Sequence, residues 1–163
     1  MINRARSLIL AACLLVTGCG VQPTGVVDGG PPIAGVSEGM RLYFVTDQGV
    51  RGVARPGLEL SSLDGVIKLL MGGLNQVEIA NGYTTLVVIA GPFSAWSVNG
   101  QVTLRLPKTP VDSVTGMFAG QLVCTLARAE TVLNGTRPDA VRVTIIADGG
   151  TAGPYQCFQF LNA

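Results

Sequence analysis

The chain has 163 residues, of which 11 are Lys or Arg, 10 are Asp or Glu and none is His. The formal charge of +1 argues against a nucleic-acid-binding protein, because phosphate contacts require a dense basic surface. The absence of His excludes Ser-His and Cys-His nucleophile pairs and zinc sites that use imidazole. The length allows one domain of ordinary size, or one domain preceded by a tail.

The amino terminus has the pattern of an export signal. Two arginines precede an apolar run at residues 8–16, which is far shorter than the ~20 residues that span a bilayer. The run ends in Val16-Thr17-Gly18-Cys19, which resembles the lipobox of bacterial lipoproteins. We therefore expect residues 1–18 to be a signal peptide and Cys19 to carry the lipid that anchors the mature chain to the membrane, outside the cytoplasm. An ordinary secretory signal is the alternative.

Residues 19–39 follow the predicted cleavage point and are rich in Gly and Pro, with no helical or strand periodicity. Such a segment buries too little apolar surface to offset the entropy of ordering it. We predict a flexible linker here, although its valines and Ile33 leave the alternative that part of it packs onto the domain. The folded domain is then expected at residues 40–163.

The first half of the domain predicts a hairpin, a helix and a buried strand. Residues 41–45 and 50–54 are rich in strand formers and flank a turn at Asp47-Gln48-Gly49. A helix is expected after Ser61-Ser62, because apolar residues then recur on one helical face up to a stop at Gly72-Gly73. Residues 84–90 form a continuous apolar and β-branched run, which predicts a buried strand.

The second half begins with the clearest local signal in the chain. Residues 96–98 and 102–106 flank Asn99-Gly100, which indicates a hairpin with a type I′ turn. A second helix follows Asp112-Ser113 and ends at Asn134-Gly135, with an apolar stripe formed by Phe118, Leu122, Leu126, Ala129 and Leu133. Strands are expected at residues 141–147 and 155–161.

The predicted element order is β-β-α-β-β-β-α-β-β. This order indicates an α+β fold with a mixed or antiparallel sheet and both helices packed on one face of it. The sequence shows no internal repeat and no apolar segment long enough for a transmembrane helix.

Two cysteines remain after the predicted signal and the lipidated residue, namely Cys124 and Cys157. An exported domain with two thiols is expected to pair them. Cys124 lies away from the centre of the second helix's apolar stripe, so the bridge requires the carboxy-terminal strand to reach the flank of that helix. If the strand lies beneath the helix, two free thiols become the alternative, and a metal site is a further one.

The sequence contains no nucleophile-elbow, phosphate-loop or zinc-protease motif. Lys68 lies on the polar side of the first helix and lacks a spaced Ser partner. The candidate acids for glycoside chemistry are Glu78, Glu130, Asp112 and Asp148, but nothing in their spacing brings two of them together. We therefore predict no catalytic residue, no cofactor and no metal site.

Several stretches, taken in order, resemble the GerMN domain, which is named for spore-germination GerM proteins and is frequent in actinobacterial lipoproteins. They include the aromatic strand and turn at residues 42–50, the helix end and next segment at 69–73 and 82–85, the hairpin at 98–104, the second helix at 121–126 and the strand at 141–145. The resemblance implies a non-enzymatic extracytoplasmic module. Relatives act in envelope assemblies, in sporulation complexes or as lipoproteins that modulate a sensor kinase.

Three classes of function are therefore considered. The first is an interaction module that docks another envelope protein through a sheet edge or face, for which the first hairpin or the last strand could serve. The second is a module that binds cell-wall glycan or a small ligand, with Trp96, Phe93 and Tyr83 as stacking residues. The third is an envelope hydrolase, which requires two carboxylates in one cleft. The first is preferred.

Overall fold

A computed structural model describes residues 39–161 of the chain. The predicted signal peptide, Cys19 and the linker up to residue 38 lie outside the described residues. Those interpretations therefore stay predictions from sequence.

The described residues form an α+β fold, as predicted, and the strands and helices follow the predicted order. The elements are the strands β1 (Arg41–Thr46) and β2 (Gly49–Ala54), the helices α1 (Leu63–Met71) and α2 (Gln76–Ala80), the strands β3 (Ser94–Val98) and β4 (Gln101–Pro110), the helix α3 (Gly116–Asn134), the strands β5 (Arg142–Asp148) and β6 (Gly150–Tyr155), and two 3-10 turns at Val111–Ser113 and Cys157–Phe160.

The strands form two sheets. A four-stranded mixed sheet has the order β3-β4-β5-β6, in which β4 and β5 run parallel and the other neighbours run antiparallel. The parallel pair arises because α3 carries the chain back across the sheet between β4 and β5. The second sheet is the antiparallel hairpin of β1 and β2.

The core lies between the four-stranded sheet and the helices. Burial alternates along β4 and β5, so that Val102, Leu104 and Leu106 on β4 and Val143 and Ile145 on β5 are enclosed. Helix α3 packs against α1 and β1, and α1 packs against β3. Because the intervening residues of β4 and β5 are exposed or half-buried, one face of this sheet is covered and the other is open.

Local signals fix the element ends where the sequence predicts them. The Ser62 side chain caps α1 by accepting a hydrogen bond from the Gly65 N–H. Helix α3 ends at Gly135, which has the left-handed φ of 68° that glycine adopts without strain. Asn99 and Gly100 both have positive φ, as a type I′ turn requires.

Residues 84–90, predicted as a strand, form only one bridge with residues 39–161, in which Thr84 pairs with Val45 of β1. The next pairing along the ladder would join Tyr43 to Leu86. The side-chain amide of Gln121, from α3, occupies that place: its Oε1 accepts from the Leu86 N–H at 2.7 Å, and its Nε2 donates to the Tyr43 carbonyl at 3.1 Å. The inserted amide satisfies both backbones and so replaces the ladder beyond Thr84.

The last strand differs from the prediction of residues 155–161. Strand β6 occupies Gly150–Tyr155, and residues 157–160 form a 3-10 turn instead. The Gln159 side chain accepts a hydrogen bond from the Gln156 N–H at 2.7 Å, which closes a local turn. This turn removes the chain from the sheet and directs it onto α3, where Cys157 meets its partner.

Candidate interaction surfaces

The two predicted domain cysteines are joined. Cys124 on α3 forms a disulfide with Cys157 in the 3-10 turn after β6, with 4.5 Å between their Cα atoms. As expected from the sequence, the bridge requires the carboxy-terminal segment to reach the flank of the second predicted helix. It does so because residues 157–160 form a turn that packs against α3, and not a strand beneath the helix. The bridge fixes the carboxy-terminal segment to the longest helix of the domain.

Glu78, one of the candidate acids, is held by a cation rather than paired with a second carboxylate. Both oxygens of its carboxylate accept from the guanidinium of Arg55, and the Arg55 Nη2 to Glu78 Oε2 distance is 3.0 Å. The hydrogen bond from Arg55 lowers the pKa of Glu78, an effect that burial opposes and that the Asn75 N–H reinforces. Both residues line a groove of about 500 Å³ between the end of β2 and α2.

Arg55 is further positioned by an aromatic ring. Its Cζ atom lies 5.7 Å from the centroid of the Phe44 ring, within the range of a cation–π contact. Because Asn75 and Glu78 also form a capping box, the carboxylate fixes the start of α2 while it pairs with Arg55. This arrangement accounts for the described hydrogen bonds of the Glu78 carboxylate and indicates a structural role.

Glu130 lies almost fully buried near the end of α3. Its carboxylate accepts from the Asn134 Nδ2 at 2.7 Å and from the Thr136 hydroxyl at 3.0 Å. These bonds hold the segment after α3 beneath the Asn99-Gly100 turn, next to a second groove of about 500 Å³. The donors belong to neutral side chains that themselves close the helix end, so this network too indicates a structural role.

The remaining candidate acids do not join these two. Asp112 and Asp148 are exposed, the first in the 3-10 turn after β4 and the second at the end of β5. Within residues 39–161 there is no group of three or more His, Cys, Asp or Glu side chains placed to hold a metal ion. Among the described residues, the hydrogen bonds and ion pairs of Glu78 and Glu130 go to cationic or neutral side chains and to a backbone N–H, not to a second predicted acid.

The three predicted stacking residues lie in different surroundings. Trp96, on β3, is 44% exposed, whereas Phe93 and Tyr83 are half-buried and pack against the core. Phe93 borders a mainly apolar groove of about 310 Å³ that is also lined by Pro92, Ser94, Arg105 and Pro107. No contact among the three aromatic rings is present in the described part, so they do not form one platform.

Trp96 lies on the open face of the four-stranded sheet. Its cross-strand partner is Thr103 of β4, which in turn pairs with Thr144 of β5. Directly opposed residues share a face, which gives the composition of this surface, termed here the open sheet face. By register it carries Ser94, Trp96, Val98, Gln101, Thr103, Arg105, Arg142, Thr144 and Ile146.

Arg105 divides one end of the open sheet face into two grooves. The first is the groove beside Phe93, and the second, of about 190 Å³, is lined by Arg105, Pro107, Ile146 and the turn at residues 147–149. Arg105 is exposed and makes no ion pair with the residues that the structure describes. The face thus combines an exposed indole, exposed aliphatic side chains and an uncompensated cation.

Three positioning residues were not found from the sequence. Gln121 and Thr125 are fully buried on α3, and the Thr125 hydroxyl accepts from the Tyr43 N–H at 3.0 Å. Asp64 of α1 accepts from the Ala95 N–H of β3 at 2.7 Å. The signal for the first two is their spacing of four, which places polar side chains together on one face of a helix that is otherwise apolar there.

Comparison with known proteins found no match: no family model, no curated protein and no solved structure. Among the described helices, none combines the length and the apolar character that crossing a bilayer requires.

Proposed function

We propose that this protein is a membrane-anchored lipoprotein of the GerMN type, whose domain acts outside the cytoplasm as a non-catalytic module that docks another envelope protein. The observation that carries the docking proposal is the open sheet face, with its exposed Trp96 and the unpaired Arg105. Tryptophan and arginine are the residue types that most often contribute large binding energies at protein interfaces.

The chemistry of the open sheet face specifies the partner. Trp96, Val98 and Ile146 offer apolar contact area, and Arg105 and Arg142 supply basic charge, with Asp148 beside Arg105 at one end of the face. A partner surface with an apolar centre and an acidic rim would complement this arrangement. The rigid sheet lowers the entropic cost of binding because the contacting side chains are already positioned.

The docking proposal is tested by capture from living cells. A tagged full-length chain is crosslinked in the envelope, purified and compared with Trp96→Ala. Phe158→Ala serves as the matched control, since Phe158 is also an exposed aromatic residue (61%) but lies in the 3-10 turn after β6.

We expect one envelope protein in near-stoichiometric amount with the wild type and with Phe158→Ala. Trp96→Ala should lower its recovery by about thirtyfold, as loss of a 2 kcal/mol hot spot would. Recovery that is equal in all three chains, or no protein above background, would overturn docking through this face.

The anchor has its own experiment. Cells supplied with a clickable fatty acid should label the chain, and Cys19→Ser should abolish the label because the acylated thiol is lost. Cys124→Ser leaves Cys19 intact and serves as the control. A label that persists in Cys19→Ser would contradict the predicted lipidation site.

Binding of cell-wall glycan is the second candidate function. It is favoured by the exposed ring of Trp96 together with the apolar groove beside Phe93, because sugar rings stack on exposed aromatic side chains. Co-sedimentation with purified peptidoglycan separates it from protein docking. Under this second function the wild type sediments and Trp96→Ala stays in the supernatant.

A further inference from the structure

Residues 85–90 follow the Thr84–Val45 bridge but belong to neither sheet. Their side chains alternate as in a strand: Val87 and Ile89 are buried, whereas Leu86 is 48% and Val88 is 80% exposed. The exposed side chains of Leu86 and Val88 lie on the same side of the segment. They form an apolar strip that does not pack into the core.

The backbone of this segment also lacks partners. The Leu86 N–H donates to Gln121, and the Val87 N–H reaches only the neighbouring Thr85 hydroxyl at 3.3 Å. Val88, Ile89 and Ala90 make no backbone hydrogen bond with any residue between 39 and 161. An extended chain with unpaired N–H and C=O groups is a template for another strand.

The edges of the neighbouring strands β1, β3 and β6 differ from residues 85–90, because side chains bond their backbone groups or a proline removes an N–H. Asp64 accepts the outward Ala95 N–H of edge strand β3. Edge strand β6 contains Pro154, which has no N–H to donate. The free edge of β1 is satisfied by Gln121 and Thr125. Beyond Val87, residues 88–90 have no such partner between residues 39 and 161.

The charge pattern selects the partner strand. The chain carries no charged residue between Glu78 and Arg105. A two-fold contact places each segment against an identical one, so any charge near its centre would face a like charge at short distance. The segment meets this condition for self-pairing, and its own β-branched residues supply an apolar, uncharged strand of matching character.

We propose that residues 85–90 pair with the same residues of a second copy of this chain, as antiparallel strands related by a two-fold axis. Leu86 of each copy then faces Val88 of the other, and the backbone groups of residues 85, 87 and 89, which alternate away from β1, form a ladder across the axis. The proposal does not depend on the partner docking described above, since it uses residues outside the open sheet face.

The test is the oligomeric state of the purified full-length chain in detergent, measured by sedimentation velocity over a range of concentrations. We expect a concentration-dependent dimer for the wild type. Val88→Asp brings two like charges to the axis and should raise the dimer dissociation constant by about tenfold or more. Val77→Asp is the matched control, because Val77 is also an exposed valine (70%) but lies on α2, outside both proposed contact surfaces.

A charge exchange makes the test specific for this surface. An equimolar mixture of Val88→Asp and Val88→Lys should recover the dimer that each lacks alone. In the wild type, the amide of Ile89, on the edge away from β1, should exchange rapidly with solvent when dilute and become protected as the dimer forms. A monomer at all concentrations, a dimer insensitive to Val88→Asp, or a failure of the mixture to dimerise would each overturn the proposal.

Discussion

Gln121 is the residue whose side chain does most to hold the domain's layers together. It lies fully buried in α3 and bonds the backbone of β1 on one side and that of Leu86 on the other. A side-chain amide offers one acceptor and two donors, which is what two diverging backbones require. No aliphatic residue of the same volume can make these bonds.

The first prediction concerns this amide. Gln121→Leu should lower the free energy of unfolding by about 2–4 kcal/mol, because the Leu86 N–H and the Tyr43 carbonyl both lose their partner at a position where the side chain is fully buried. Urea denaturation measures the change. Gln101→Leu, at an exposed position of β4, is the control and should shift stability by less than about 0.5 kcal/mol. Similar effects of the two substitutions would contradict the role given to Gln121.

The second prediction follows from the lowered pKa of Glu78. A depressed carboxyl pKa adds stability above the ordinary value of 4.5, and that contribution is lost as pH falls through the lower pKa of the folded state. Glu78→Gln should therefore cost about 1–3 kcal/mol at neutral pH, and the difference from the wild type should shrink as the solution is acidified below that value.

Asp139 provides the control for this pH dependence. Its ion pair with Arg137 is largely exposed, with relative side-chain accessibilities of 67% and 81%. Exposed ion pairs contribute little to the free energy of unfolding. Asp139→Asn should therefore leave the unfolding curve nearly unchanged, both at neutral pH and in the acidified solution. Parallel pH profiles for Glu78→Gln and the wild type would show that the Arg55 contact contributes nothing through charge.

At the scale of elements, the disulfide determines how firmly the carboxy-terminal turn is attached. The bridge joins residues 33 apart in sequence. Loop-closure entropy for this length corresponds to about 3–4 kcal/mol of stability. Reduction, or the double substitution Cys124→Ala with Cys157→Ala, should lower the thermal midpoint in a calorimeter, and the two treatments should agree. An unchanged midpoint after verified reduction would contradict this third prediction.

The elements best predicted from sequence are those with their own local signals. The Asn99-Gly100 turn and the Ser62 cap lie where the residues place them, because φ preferences and side-chain caps act within a few residues. Residues 84–90 were predicted as a strand from their β-branched composition. Their pairing is decided by Gln121, which lies far away in sequence, and a short-range pattern carries no information about such a wedge.

The candidate surfaces also include features that the sequence predicts and features that depend on the folded structure. The pairing of Cys124 with Cys157 was predicted because the number of thiols left few choices, and it is confirmed. The exposure of Trp96 could not be read from its strand, since alternation gives two faces without saying which one the helices cover. Trp96, Phe93 and Tyr83 were named as stacking residues from their residue type, and no ring contact joins them among the described residues.

At the scale of the whole domain, the two proposed contacts use different parts of the surface. One uses the open sheet face around Trp96, and the other uses the extended segment around Val88. If both hold, a dimer would present two copies of the open sheet face. A partner with two binding sites would then be held by avidity as well as by each single contact.

The position of the single tryptophan gives this protein an optical label of its own. Because Trp96 is exposed on the open sheet face, its emission should be red-shifted and readily quenched by acrylamide in the free protein. A ligand or protein seated on that face would shift the emission to the blue and shield the indole. Pairing through residues 85–90 would leave the spectrum unchanged. One fluorescence titration therefore distinguishes which surface has been occupied, without any added dye.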